Sequence, residues 1–114
     1  MGLSGSSLAI TIDLPPPVPQ GLTAIALDTR VLLVWSRNGE NDVVGYNIYR
    51  DGNLVPLAYV AQPPVGSTPT LTDYALTNGR QYLYQIQAVD ARGNKSALGF
   101  GVLGTPVSGP EWGQ

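Results

Sequence analysis

The main candidates for acid–base chemistry in this chain are its eight carboxylates, because the sequence contains no histidine and no cysteine. They are Asp13, Asp28, Glu40, Asp42, Asp51, Asp73, Asp90 and Glu111. Most fall in predicted turns or at strand ends, where aspartate commonly bonds to nearby backbone groups. Acid–base catalysis needs paired carboxylates or a base with a tuned pKa, and the spacing indicates neither. We therefore expect that the chain is not an enzyme.

The same composition limits which metals the chain could hold. Zinc sites are built mainly from cysteine and histidine, so a zinc site of the usual kind is excluded. Glu40, Asn41 and Asp42 form a polar loop whose oxygens could bind calcium. Their spacing matches no calcium-loop pattern, and a solvated loop is the preferred interpretation. We expect no metal and no cofactor.

Aromatic side chains are the remaining candidates for a binding site. Four are predicted by alternation to lie in the core, namely Trp35, Tyr46, Tyr82 and Tyr84. Tyr49 falls on the opposite face of its strand, Tyr59 is predicted to point outward, and Trp112 lies in a C-terminal tail. Exposed aromatics could stack on a sugar ring or pack against a protein partner. Ordinary cross-strand packing is the preferred interpretation for the two tyrosines.

An alternating apolar run near the N-terminus predicts a strand, with Leu8, Ile10, Ile12 and Leu14 on one face. The proline-rich residues 15–19 follow it and must be extended and stiff. A lone strand cannot satisfy its own backbone, so this one needs a partner. It could fold back on its own domain, add to a sheet edge of a neighbouring subunit, or be the last strand of a preceding domain.

Seven further strand-like runs follow the prolines, separated by turn residues. They cover residues 21–27, 30–36, 44–50, 54–61, 68–74, 80–90 and 95–104. Asp51-Gly52 lies between two of them and predicts a two-residue hairpin, because both positions accept a positive φ. No segment of ten or more residues has a helical period. The pattern predicts an all-β fold, a seven-stranded antiparallel β-sandwich with an extra N-terminal strand.

Alternation within these runs also predicts the core and the domain boundaries. The predicted core consists of Leu22, Val31, Leu33, Trp35, Tyr46, Ile48, Leu76, Tyr82, Tyr84, Ile86 and Ala88. We divide the chain into an N-terminal extension (1–14), a proline-rich linker (15–19), the sandwich (20–106) and a tail (107–114).

Motifs along residues 17–106 resemble those of fibronectin type III domains, in particular of bacterial members. They are Pro19 and Leu22 at the opening, Trp35 closing the second strand, Tyr46 and Ile48 in the third, residues 76–82, the hairpin at 88–96, and Thr105-Pro106 at the exit. Residues 76–82 are similar to that family's tyrosine corner, in which a tyrosine hydroxyl bonds to upstream backbone. The resemblance implies an immunoglobulin-like sandwich, a fold that hosts many functions.

The net charge and the small number of charged residues limit the kinds of partner that the chain could bind. The net charge is −2, charged residues make up 12% of the chain, and lysine occurs once, which argues against nucleic acid and anionic membranes. No apolar run is long enough for membrane insertion. The resemblance to bacterial fibronectin type III domains implies a non-catalytic binding or spacer module of an extracellular or cell-surface protein, and we expect a protein or carbohydrate partner. The alternative is a structural subunit of a filament or virion, a homo-oligomer assembled by N-terminal strand addition.

Overall fold

The chain folds into two antiparallel β-sheets in a computed structural model that describes residues 14–109. The strands are β1 (Thr23–Leu27), β2 (Arg30–Val34), β3 (Val43–Arg50), β4 (Ala58–Ala61), β5 (Thr70–Asp73), β6 (Tyr82–Asp90) and β7 (Val102–Gly104). One sheet has the order β1-β2-β5 and the other β4-β3-β6-β7. Within the described residues there is no helix, and so none that could span a membrane. The predicted seven-stranded antiparallel sandwich is confirmed.

The core lies between the two sheets and is built by period-two alternation. Along β6 every second residue is buried and the residues between them are half-buried. Ten of the eleven predicted core residues are buried. Leu22 is the exception, because it precedes the edge strand β1 and is only partly covered where it packs against the core.

A β-bulge at the start of β3 adds one core residue that alternation did not predict. Val43 pairs with Asp90 and Gly45 pairs with Val89, so Val44 is the extra residue. Counting back from Tyr46 in steps of two would place Val44 inward. The bulge instead buries Val43 and leaves Val44 41% exposed.

The connection between β3 and β4 is longer than the sequence predicted. Asp51 and Gly52 both have positive φ, and the Asn53 N–H donates to the Arg50 carbonyl at 3.2 Å, so the predicted turn forms. The returning strand, however, begins at Ala58 rather than at residue 54. Pro56 has no N–H to donate to a ladder, which explains the delay.

The last strand is shorter than predicted, since β7 covers only residues 102–104 of the expected 95–104. Upstream of it, contact with β6 is reduced to a bridge between Val89 and Lys95 and to separate backbone bonds from Ser96 and Gly99. Glycine at positions 99 and 101 weakens a regular strand here.

The proline-rich run packs against the sandwich. Pro16 and Pro19 are buried, and the Asn38 side-chain amide donates to the Pro17 carbonyl at 2.9 Å. Leu14 is 68% exposed. The other members of the predicted N-terminal strand, Leu8, Ile10 and Ile12, lie outside the described residues. The four-part division of the chain stays a prediction.

Candidate ligand-binding face

Two of the carboxylates organise turns. Both oxygens of Asp90 accept bonds from Asn94, and the Arg92 N–H adds another at 3.0 Å. Burial raises the pKa of Asp90, but these hydrogen bonds together outweigh it and hold the pKa below its ordinary value. Asp51 accepts from the backbone N–H of Leu83 at 2.9 Å, which lowers its pKa, and Arg80 lowers it further.

Asp73 connects the two sheets. It ends β5, and the Arg50 guanidinium from β3 donates to both of its oxygens at 3.0 and 2.8 Å. The Tyr84 hydroxyl from β6 donates to the same carboxylate at 2.7 Å. Burial, and then this bond to Asp73, raise the pKa of the Tyr84 hydroxyl. The arrangement satisfies a buried carboxylate between the sheets, which is a structural role.

The two tyrosines predicted to point outward lie on one surface. Residues 47 and 59 pair directly between β3 and β4, residues 47 and 87 pair between β3 and β6, and Tyr49 pairs with Gln85. We call the outward side of the four-stranded sheet the outer face. Its members on β3, β4 and β6 include Gly45, Asn47, Tyr49, Tyr59, Gln85 and Gln87.

Tyr59 lies along the sheet rather than standing up from it. Its hydroxyl crosses to the neighbouring strand and donates to the Val44 carbonyl at 3.0 Å. A Cβ on Gly45 would overlap with the Tyr59 ring and hydroxyl. The ring therefore occupies space that only glycine leaves open, and the residue remains 53% exposed.

Tyr49 is held by the amide side chains beside it. Its hydroxyl donates to Gln87 Oε1 at 2.9 Å, and Asn47 Nδ2 donates to the same oxygen at 3.2 Å. Gln87 Nε2 in turn donates to the Ser96 carbonyl at 3.0 Å, and Gln85 Nε2 donates to the Gly99 carbonyl at 3.3 Å. The Tyr49 hydroxyl thus reaches across to β6, and Tyr49 is half-buried.

Sequence reasoning identified the tyrosines but missed Gly45 and the glutamines. A glycine inside a strand was an available signal, because it commonly marks a close approach by another group. The amides carried no such signal, since their grouping depends on the register between β3 and β6. Trp112, the third predicted surface aromatic, lies outside the described residues.

Apart from the outer face, a concave surface lies where residues 18–22 meet the segment before β7. It is an open groove of about 690 Å³, lined by residues that include Val18, Leu22, Leu98 and Phe100. Phe100 is 99% exposed at its rim. Among residues 14–109 no group of three or more acidic side chains is arranged to hold a metal.

The sequence matches short parts of larger enzymes. Over 108 residues the chain is 35% identical to chitinase Chi52 of Paenibacillus xylanexedens, covering 93% of this chain but 19% of that protein. Over 100 residues it is 34% identical to an amylopullulanase of Thermoanaerobacterium saccharolyticum, covering 85% of this chain and 7% of that protein. The chain thus spans less than a fifth of the relatives it matches. No family model matches it.

Solved structures provide the comparison of folds. An Fn3-like protein from Clostridium thermocellum superposes with a TM-score of 0.62 at 22% identity, over 86% of this chain and 100% of that one. Such an identity supports similarity of fold and no more. Together with the seven-stranded topology, it confirms the resemblance seen in the sequence: the chain is a domain with the fibronectin type III fold.

Proposed function

We propose that the chain is a non-catalytic binding or spacer module of a larger polysaccharide-degrading enzyme. One observation carries the proposal. The matches cover most of this chain but only 19% of a chitinase and 7% of an amylopullulanase. A unit that recurs as a small part of enzymes with different names is typical of an accessory domain, because the named activities differ while the unit persists.

The roles of the carboxylates support a non-catalytic domain. Asp51 and Asp90 accept backbone N–H bonds in turns, and Asp73 is occupied by Arg50 and Tyr84. A catalytic acid or base must be free to exchange a proton with substrate in a cleft. These three carboxylates serve the fold instead.

We place the parent protein outside the cell or at its surface. Chitin and pullulan, the polymers that the relatives' names denote, are too large to enter a cell intact. An enzyme that acts on them must therefore meet them outside. Nothing among these relatives supports a virion, and the self-assembling alternative depends on residues that mostly lie outside the described part of the chain.

The test has two parts. The gene that encodes this chain is sequenced through its full reading frame, and the isolated chain is assayed for release of reducing ends from chitin and pullulan. We expect a catalytic domain on the same polypeptide and no hydrolysis by the isolated chain. Hydrolysis by the isolated chain, or a full-length polypeptide without any catalytic domain, would contradict the proposal.

A further inference from the structure

The outer face offers two aromatic side chains that are already ordered. The Tyr59 hydroxyl is anchored on the Val44 carbonyl and the Tyr49 hydroxyl on Gln87. A side chain that is held in place before binding loses little conformational entropy when a ligand arrives. Each hydroxyl is anchored on a neighbouring strand, and Tyr59 is 53% exposed while Tyr49 is half-buried, so the two rings contribute to an open sheet surface instead of a pocket.

Amide groups surround this aromatic surface. Asn47 lies between Tyr59 and Gln87 in one cross-strand row, and Gln85 lies opposite Tyr49 in the next. An amide has two N–H donors and an oxygen with two lone pairs. Gln87 Oε1 already accepts two bonds, but the contacts described above use only one N–H of each amide, so a second N–H can donate to a ligand hydroxyl. The half-buried positions of Asn47, Gln85 and Gln87 leave part of each side chain open to solvent.

The outer face carries no charged side chain at the outward positions of its four strands. Those positions hold Val44, Gly45, Asn47, Tyr49, Tyr59, Ala61, Leu83, Gln85, Gln87, Val89 and Leu103. Lys95, which bridges to Val89 beside β6, is the one cation that the described strand pairing places next to this face, and a cationic ligand would meet no carboxylate at these positions. The matching ligand is itself uncharged.

A neutral glycan chain has the required chemistry. The C–H face of a sugar ring packs against an aromatic ring, while its hydroxyls exchange hydrogen bonds with amides. The shape of the surface also indicates which glycosidic linkage the ligand has. A β-linked chain of the cellulose and chitin type is a flat ribbon that can contact both tyrosines at once, whereas an α-linked chain of the starch type coils away from a flat surface.

We infer that the outer face binds a flat, uncharged, β-linked glycan chain through Tyr59 and Tyr49, with Asn47 and the two glutamines as hydrogen-bonding partners. The inference rests on the proposed function and names the ligand of the module. Gly45 is a positioning residue in this site, since its missing side chain leaves the space in which the Tyr59 ring lies.

The direct test is titration of the full 114-residue chain, followed by NMR, with cellohexaose, chitohexaose and maltohexaose at millimolar concentration. We expect saturable shifts confined to the outer face with cellohexaose or chitohexaose, and none with maltohexaose. Tyr59→Ala should weaken binding by about tenfold, the factor that corresponds to about 1.4 kcal/mol.

Three further variants separate the roles of the Tyr59 ring, the Tyr59 hydroxyl and Gly45. Tyr59→Phe keeps the ring and should lose less affinity than Tyr59→Ala. Gly45→Ala displaces the ring and should weaken binding as Tyr59→Ala does. Tyr74→Ala is the matched control, because Tyr74 is 64% exposed but follows β5 in the other sheet. It should bind like the unmodified chain.

Three outcomes would overturn the inference: no binding of either β-linked oligosaccharide, equal binding of maltohexaose, or binding that survives Tyr59→Ala and Tyr49→Ala. A melting curve for each variant shows whether it folds. If Gly45→Ala does not fold, the affinity of Tyr59→Ala tests the inference. A chain that binds no glycan, yet belongs to a polypeptide with a catalytic domain, would leave a spacer role intact. The two proposals therefore fail separately.

Discussion

At the scale of single residues, the carboxylates described above that could suggest catalysis form hydrogen bonds that stabilise the fold. Asp73 is 6% exposed and meets both a guanidinium and a phenol across the sandwich. Without such partners a buried carboxylate would be strongly destabilising, whereas with them it ties β5 to β3 and β6. The stability of the domain should therefore respond to each member of this group.

Asp73→Ala should lower the free energy of unfolding by about 2–3 kcal/mol, because it leaves the Tyr84 hydroxyl and the Arg50 guanidinium without their shared acceptor. Urea melts monitored by tryptophan fluorescence would measure the loss. Tyr84→Phe is the matched variant and should cost only about 1 kcal/mol, since it removes a donor and leaves the carboxylate bonded to Arg50. Equal losses for the two variants would contradict this account.

Alongside Asp90, whose pKa is also lowered, Asp51 should contribute to the pH dependence of stability. Its folded-state pKa is lowered, first by the Leu83 N–H and then by Arg80. Such a carboxylate stabilises the fold fully above its unfolded pKa, about 4, and loses that contribution as the pH falls through the folded value. The melting temperature should therefore fall on acidification below about pH 4.

Asp51→Asn is the variant that tests this assignment. It should be less stable than the unmodified chain at neutral pH, and its melting temperature should fall by less on acidification. Thermal melts followed by circular dichroism at a series of pH values measure both effects. Parallel pH profiles for the two proteins would show that Asp51 is not the responsible group.

At the scale of elements, turn chemistry sets where strands begin and end. The Asp51-Gly52 turn forms as the sequence predicted, with φ of 55° and 72°. Pro56 then delays β4, and Leu54 and Val55 are left 94% and 74% exposed in the connection. Local residue types are sufficient to predict the turn, while the start of the strand depends on which backbone donors remain available.

Gly52→Ala should destabilise the domain by about 1 kcal/mol, because a Cβ is strained at positive φ even where the space around it is open. Gly39→Ala is the matched control: Gly39 also faces open space, and its φ is not in the left-handed region. It should change stability by less than about 0.5 kcal/mol. Chemical denaturation of both variants tests the difference, and a neutral Gly52→Ala would argue against the strained turn.

At the scale of the whole molecule, the packing of the proline-rich run bears on whether the chain is a monomer. The N-terminal strand around residues 8–14 remains a prediction, and so does a homo-oligomer built from it. The structure does show that residues 16–20 pack on their own sandwich, where Pro16 and Pro19 are buried and the Ser36 N–H donates to the Gln20 carbonyl at 2.9 Å. Because this run packs against its own domain, we expect the chain to be a monomer.

Light scattering on the full chain and on residues 15–114 should therefore give monomer masses at all concentrations. Circular dichroism of the shorter chain confirms that it folds. A concentration-dependent oligomer that becomes a monomer on truncation would instead favour strand addition and the structural-subunit alternative, because the apolar residues of the removed segment would then be the contact.

The sequence by itself determined the fold class, the seven strands and most of the core, because period-two alternation and turn residues act locally along the chain. Only the tertiary structure decided where alternation is interrupted, as at Val43 and Val44, since a bulge depends on the partner strand. It also decided that Tyr59 lies over Gly45 and that Tyr49 meets Gln87. Those contacts join residues that are 14 and 38 positions apart and depend on strand register, which single-strand patterns do not specify.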